Sequence, residues 1–152
     1  MIKLEKNQTG IASEFYVAGE LSRLGYNVSV TFGNTKSIDL LVEKNGKTKA
    51  VQVKGIQTTK SICWNLDKTK VLENVFYILV NLHVNETNDK PEFFILSHTE
   101  CLDLFKDTPK EKNKRTYLDY KSLKKLSGFE NAWYKLETEK EIGIVEKDHT
   151  VN

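Results

Sequence analysis

The dipeptide Asn45-Gly46, which separates two apolar segments, constrains the fold more than any other feature of this sequence. Asn-Gly is the strongest short-range indication of a two-residue β-hairpin turn. Residues equally distant from such a turn lie opposite each other in the hairpin. The sequence therefore predicts two antiparallel strands in which Lys44 faces Lys47 and Asp39 faces Gln52.

This register places polar side chains together on one face of the hairpin. Lys54 lies two residues beyond Gln52, so it shares a face with Gln52 and Asp39. The opposite face is apolar and is predicted to join the core: Leu40, Val42, Val51 and Val53. Polar groups inside apolar strands cost stability unless they are paired or used. We therefore expect the three polar residues to share a task.

A helix is predicted before the hairpin, from about Thr9 to Leu24, with Gly25 as its stop. The apolar positions that indicate it are Ile11, Phe15, Ala18 and Leu21, with Val17 and Leu24 beside them. Glu14 shares a helical side with Val17 and Leu21. We therefore expect Glu14 to lean toward the sheet and to reach the polar face of the hairpin.

The remaining pattern predicts an α/β fold in which helices flank a mixed sheet. The chain of 152 residues fits one domain, 1–152, with a polar and loosely held tail over about 137–152. Further strands and helices are predicted over these ranges: strands Tyr26–Phe32, Ile62–Leu66, Val75–Leu82 and Glu92–Leu96, and helices Ser97–Asp107 and Tyr117–Leu126.

Composition and the N-terminal sequence indicate the cellular compartment of the protein. No apolar segment approaches the roughly 20 residues that cross a bilayer, and the N-terminus lacks a secretory apolar region, so we expect a cytoplasmic protein with no membrane contact. Cys63 and Cys101 are isolated and are predicted to be reduced thiols.

The formal net charge is only +2. The basic stretch from Lys106 to Lys125 is either a phosphate-binding surface or an ordinary solvated one.

The polar face of the hairpin supplies ligands that Mg²⁺ accepts. An oxygen of Asp39, the amide oxygen of Gln52 and the backbone carbonyl of Val53 form a plausible metal site. Lys54 could then assist an attacking water or stabilise charge on a phosphate. The alternative is a buried salt bridge between Asp39 and Lys54 that Gln52 merely satisfies. The other conspicuous side chains are predicted to be structural: His83, His98, Trp64 and Trp133.

These residues resemble the PD-(D/E)XK nuclease superfamily. The matching segments are GIASE, ending at Glu14, then SID, ending at Asp39, and QVK, ending at Lys54. The stretch from Gly33 to Gly55 is similar to the small branch of that superfamily that contains a group I intron homing endonuclease. The resemblance extends over roughly Thr9 to Gly55 and is loose beyond it.

The resemblance implies a restriction-endonuclease-like fold and a metal-dependent endonuclease that hydrolyses phosphodiester bonds in double-stranded DNA. Mg²⁺ would be the cofactor, for which Mn²⁺ can substitute. Glu14, Asp39, Gln52 and Lys54 would be the catalytic residues. Two or more copies, a dimer or a tetramer, would make a double-strand cut. Four polar residues after the motif would contact DNA at the rim of the site, if they are more than an ordinary loop: Gln57, Thr58, Lys60 and Ser61.

Two positions depart from the superfamily pattern. Ile38 replaces the proline, and Gln52 stands where the superfamily has Asp or Glu, although members with a QxK sequence are active. Gln52 removes one negative charge from the metal site. It therefore keeps another reading open, a nuclease-like fold that binds DNA or a protein without cutting. A separate alternative is an enzyme that resembles junction resolvases.

Overall fold

The computed structural model describes residues 1–31, 37–58, 60, 63–87, 90–108 and 115–138. Its α-helices are α1 (Lys6–Arg23), α2 (His98–Leu104) and α3 (Tyr120–Lys125). Its strands are β1 (Asn27–Val30), β2 (Leu40–Lys44), β3 (Lys47–Ile56), β4 (Cys63–Asn65), β5 (Val75–Asn81), β6 (Glu92–Leu96), β7 (Lys106–Asp107) and β8 (Thr116–Asp119). Two short 3-10 helices span Lys68–Lys70 and Trp133–Glu137.

The strands form a five-stranded mixed sheet in the order β1-β2-β3-β5-β6 and a three-stranded antiparallel sheet in the order β4-β8-β7. Among the described strand pairs of the larger sheet, only β3–β5 is parallel. The predicted hairpin register is confirmed from Lys44–Lys47 to Leu40–Val51. The ladder ends there, so the predicted pair of Asp39 and Gln52 is not part of it, and the Asp39 N–H donates to the Val51 carbonyl instead. The mixed sheet with flanking helices therefore agrees with the fold class that the sequence predicts.

Apolar clusters cover both faces of the larger sheet. Helix α1 packs on one face, where Leu21 meets the buried hairpin residues Leu40 and Val51. The other cluster contains Trp64 and Tyr77, which join the smaller sheet to β5. Every residue of β5 is buried, as its continuous apolar run predicts. No helix in the described residues has the length and apolar character that a membrane span requires.

The buried side of α1 differs from the prediction. Ile11 and Phe15 are exposed by 53% and 58%, whereas the small polar residues Thr9 and Ser13 are buried. The physical reason is the close approach of α1 to β3 at Gly55, where only small side chains fit between the two backbones. The stripe that faces the sheet therefore recurs every four residues from Thr9 and includes polar positions that an apolar pattern misses.

The C-terminal elements also differ in part. The capping box at Ser97 is confirmed, since its hydroxyl accepts the N–H of Glu100 at 3.2 Å, but α2 ends at Leu104. The segment predicted as one helix from Tyr117 to Leu126 is split between β8 and α3. Asp119 causes the split, because its carboxylate accepts the N–H of Ser122 at 2.9 Å and caps α3. Phe32, Ile62 and residues 139–152, on which parts of the predictions fall, lie outside the described residues.

Candidate active site

Strand β3 continues beyond the end of its partner β2, and this mismatch opens the site. The ladder between the two strands ends where Leu40 pairs with Val51, whereas β3 runs on to Ile56. The backbone of β3 after Val51 therefore has no β2 strand beside it. Strand backbone groups that lose their ladder partner need another one.

Asp39 supplies that partner with its side chain. Its Oδ2 accepts the backbone N–H of Val53 at 2.7 Å, and its own N–H donates to the carbonyl of Val51 at 2.9 Å. The carboxylate is thus held across the open edge of β3. Since the N–H and C=O of one strand residue point to the same edge, the Val53 carbonyl faces this opening as well.

A cleft of about 650 Å³ lies over this edge. Helix α1 forms one wall, β4 forms another, and the end of β3 lies between them. The residues predicted to be catalytic or to bind metal all line it: Glu14, Asp39, Gln52, Val53 and Lys54. The structure therefore brings together residues of α1, of β3 and of the chain just before β2, which are up to 40 residues apart in the sequence.

The two acids of the cleft, Asp39 and Glu14, both have raised pKa values. Burial raises the pKa of Asp39, against the opposing effects of the Val53 hydrogen bond and the Lys54 charge. Burial also raises the pKa of Glu14, and the negative charge of Asp39 raises it further, while Lys54 lowers it. Two carboxylates with raised pKa values in one cleft are a common feature of functional sites, because a bound cation would relieve both.

Lys54 and Gln52 are available in this cleft. The described structure contains no ion pair between Lys54 and either acid, so the alternative of a direct Asp39–Lys54 salt bridge is not formed there. The side-chain amide of the half-buried Gln52 makes no hydrogen bond within the same residues. A polar group that gains no intramolecular partner can bind a ligand without losing one.

The residues predicted to form the DNA-binding rim separate in the structure. Gln57 lines the cleft, but its amide bonds Leu4 twice: Oε1 accepts the Leu4 N–H at 2.9 Å, and Nε2 donates to the Leu4 carbonyl at 2.8 Å. It thus ties the chain before α1 to the end of β3, a task that the sequence did not reveal. Of the described residues, Thr58 and Lys60 lie outside the cleft lining, and Ser61 is not among those described. Their contacts with DNA remain a prediction.

The cleft also includes residues that sequence reasoning missed. Lys6 and Gly10 extend its α1 wall beyond Glu14, and Cys63 and Asn65 lie on the β4 wall. The spacing of four between Lys6, Gly10 and Glu14 is a signal that could have been found, because it aligns residues along one side of a helix. The position of β4 could not, since it depends on pairing with the distant strand β8.

A second polar cluster, away from the cleft, surrounds His83. Its Nδ1 contacts Glu86 at 2.5 Å, and its Nε2 contacts the buried Glu92, which also binds Tyr120 and Lys124. Burial alone would lower the pKa of His83, but the hydrogen bonds to the two glutamates raise it overall. His83 is thus held between two glutamates, and its structural role stays a prediction.

Part of the basic stretch is committed to internal contacts. Lys124 binds Glu92 and Glu130, and Lys106 lies 3.7 Å from the Asp119 carboxylate. Residues 109–114, in the middle of the stretch, lie outside the described residues. These contacts leave fewer cations for phosphate than the sequence suggests.

The donors in the cleft suit a hard cation such as Mg²⁺. The described residues contain no group of three His, Cys, Asp and Glu side chains that could hold a metal. Mg²⁺ does not need such a group, since it takes one or two carboxylates and keeps several waters. Asp39 and Glu14 supply carboxylates, and Gln52 and Val53 supply neutral oxygens. The available oxygens therefore fit a weakly held, water-rich ion.

The mixed sheet, the flanking helices and the cleft at the open edge of β3 are consistent with the nuclease-like class of α/β folds. A solved structure with this fold is that of a bacterial homing endonuclease, I-Ssp6803I. The two structures share a TM-score of 0.58 and 16% sequence identity, and the match covers 97% of this chain and 100% of that chain. At this identity the likeness shows the fold alone. No protein-family model and no curated protein sequence matches the chain.

Proposed function

We propose that the protein is a metal-dependent endonuclease of the PD-(D/E)XK type that hydrolyses phosphodiester bonds in double-stranded DNA. One observation carries the proposal: the cleft gathers Glu14, Asp39, Gln52 and Lys54, with raised pKa values on both acids. The fold shared with a bacterial homing endonuclease supports it. A homing role is the finer form of this proposal.

Asp39, Gln52 and the Val53 carbonyl would hold Mg²⁺, or Mn²⁺ in its place. When bound, the ion supplies charge stabilisation at the phosphate and lowers the pKa of water. The Val53 N–H fixes Asp39 beforehand, so one carboxylate oxygen is oriented without waiting for a ligand. Glu14 would tune the charge of the cleft from the α1 wall.

Lys54 would act on the reacting groups from β3. Its ammonium makes no direct ion pair with the described residues, so it can orient a water or neutralise charge on the phosphate. In the reaction, the water oxygen bonds to phosphorus as one P–O ester bond breaks, and the protons of the water end on the products. Lys54 would stabilise the charge that develops on the phosphate oxygens during this exchange.

The described residues of each chain form one such catalytic cleft, so one copy would cut one strand. We propose a homo-oligomer, a dimer or a tetramer, in which two clefts face the two strands of a symmetric DNA site. Analytical ultracentrifugation with and without a duplex would measure the number of copies. A monomer in both conditions would contradict this part of the proposal.

The direct test is a Mg²⁺ titration with supercoiled plasmid as substrate. We expect Mg²⁺-dependent nicking by the parent and a loss of about 100-fold or more in the Asp39→Ala and Lys54→Ala variants. Circular dichroism of both variants checks that they remain folded. Parent nicking no greater than that of Asp39→Ala, on plasmid, cruciform and fork DNA, would contradict the proposal.

A second candidate is a nuclease-like fold that binds DNA or a protein without cutting, and Gln52 is the observation that favours it. The amide supplies an oxygen but no negative charge, so the cleft holds one carboxylate fewer than the superfamily pattern. Tight binding to duplex DNA without nicking, at all Mg²⁺ and Mn²⁺ concentrations, is the result that this candidate predicts. Faster cutting of cruciform than of linear DNA would instead indicate a resolvase-like enzyme.

A further inference from the structure

The α1 wall of the cleft continues two turns beyond Glu14. Lys6, Gly10 and Glu14 are four residues apart and all line the cleft. Eight residues of helix cover about 12 Å along the axis, so Lys6 lies about that far along α1 from Glu14. A phosphate bound at Lys6 would therefore be a different one from a phosphate bound beside Glu14.

Packing within the protein does not explain Gly10. A Cβ built on it would meet nothing within 4 Å, and its backbone is ordinary helix. Glycine in a helix costs about 1 kcal/mol relative to alanine. Gly55 differs, because a Cβ there would collide with Ser13. Gly10 is therefore costly to the free protein, and what distinguishes it is the open helix backbone that it presents to the cleft.

Gly19 shows why the cleft is essential to this argument. It is also helical and also open, but it does not line the cleft. An open glycine alone thus indicates nothing. Gly10 differs from Gly19 by its position beside a cation and above the candidate active site, where a bulky anion could approach the helix backbone closely.

Lys6 is well placed to bind such an anion. Its side chain is exposed and makes no ion pair with the described residues. Its backbone position is fixed by the paired hydrogen bonds between Leu4 and Gln57, two residues earlier. Because the backbone at Lys6 is already fixed, binding a phosphate would order only the lysine side chain.

We propose that Lys6 and Gly10 form a subsite for a phosphate of the DNA backbone. This phosphate flanks the scissile phosphate. Lys6 would supply the charge, and Gly10 would let the phosphate and sugar lie against α1. The subsite rests on the proposed function, since it takes the same DNA. It would fix the position of the strand without reading its sequence, because phosphate contacts carry no base information.

Two pairs of matched variants test the subsite: Gly10→Ala against Gly19→Ala, and Lys6→Ala against Lys3→Ala, which changes an exposed lysine outside the cleft lining. The probe is a fluorescent duplex, and its Kd is measured by anisotropy in Ca²⁺ over a series of salt concentrations. Melting temperatures are measured in parallel, and a larger variant, Gly10→Leu, increases the obstruction.

We expect Gly10→Ala and Gly19→Ala to melt at or above the melting temperature of the parent. Only Gly10→Ala should bind the duplex several-fold more weakly. Gly10→Leu should weaken binding further. Lys6→Ala should reduce the salt slope of binding by about one unit. Lys3→Ala should leave it unchanged. Gly10 and Lys6 variants that bind like their controls would overturn the subsite.

The two proposals fail in different ways. A parent that nicks plasmid, with Gly10 and Lys6 variants equal to their controls, would overturn the subsite and leave the nuclease intact. A parent that binds duplex through Lys6 and Gly10 but never nicks would overturn the nuclease and leave the subsite intact. A parent that neither binds nor nicks DNA would overturn both.

Discussion

Ser13 and Gly55 approach each other so closely that a Cβ on Gly55 would lie 2.0 Å from Oγ of Ser13. The Ser13 hydroxyl is buried there and donates to the Thr9 carbonyl at 2.7 Å. This contact sets the distance between α1 and β3. Glu14 is the next residue of α1, so the contact also sets how far Glu14 lies from the polar edge of β3.

Replacing Gly55 by alanine should destabilise the fold. The added methyl group would also lie 3.0 Å from Cβ of Ser13 and 3.2 Å from the Thr9 carbonyl, so rotating the Ser13 hydroxyl away is not enough and the α1 backbone must also move. We expect a loss of about 1–3 kcal/mol in the free energy of unfolding, measured by urea denaturation. Gly19→Ala is the matched control and should lose nothing. Equal stability of the two variants would show that the approach is looser than described.

The pH dependence of the free energy of unfolding should reveal the cost of ionising Glu14 in the folded protein. Its pKa is raised above 4.5 in the folded state, mainly by burial, so ionising it costs stability. That cost is absent below pH 4.5 and is fully present once the pH exceeds the folded pKa. Glu14→Gln removes the cost, so its stability relative to the parent should rise between pH 4 and pH 7. Urea denaturation across that range measures it, and a flat or falling difference would contradict the assignment.

The cluster around His83 should contribute most to stability at intermediate pH. Burial raises the pKa of Glu92, but hydrogen bonds from Lys124, Tyr120 and His83 lower it overall, so its stabilisation is lost as the pH falls. The raised pKa of His83 means that its stabilisation is lost as the pH rises. Both contributions are present together between pH 4.5 and pH 6.5.

Replacing Glu92 by glutamine should therefore cost the most in that window. We expect a loss of about 1–3 kcal/mol, because the amide cannot accept from all three partners of the carboxylate. Thermal melting from pH 3 to pH 9 measures the difference, and NMR titration of His83 should show its pKa falling in the variant. An unchanged His83 pKa would contradict the pairing of these two residues.

Local chemistry made much of the site predictable. The Asn45-Gly46 turn determines the hairpin register, and Asp39, Gln52 and Lys54 follow at the open end of this ladder, where they line one cleft. Helical periodicity predicted that Glu14 faces the sheet, and Glu14 lines the same cleft. These inferences needed only short-range geometry, in which residues a few positions apart have one available arrangement.

Features that depend on distant contacts were missed. Ile11 and Phe15 form a regular apolar pattern, yet they are exposed because Gly55 draws small residues of α1 to the sheet. The second role of Gln57 depends on the path of the chain near Leu4, and the partners of His83 depend on where β6 lies. Such tertiary contacts override sequence periodicity, and a single sequence does not encode them locally.

The central claim is that Gln52 and Asp39 bind a metal that the reaction needs, and two variants of Gln52 test it most directly. Gln52→Glu adds a carboxylate at nearly constant size, so Mg²⁺ binding should tighten and plasmid nicking should persist or shift in metal preference. Gln52→Leu keeps the volume but loses the oxygen, so nicking should fall by about 100-fold. The Leu variant should still melt close to the parent. In a purely structural cluster the order reverses, since a second carboxylate beside Asp39 would cost stability by repulsion.

The decisive measurement is therefore the rate of Mg²⁺-dependent plasmid nicking by the parent, Gln52→Glu and Gln52→Leu, with the melting temperature of each. We expect cleavage by the parent and the Glu variant, and a rate about 100-fold lower for a folded Leu variant. A Gln52→Leu protein that nicks as fast as the parent would contradict the account.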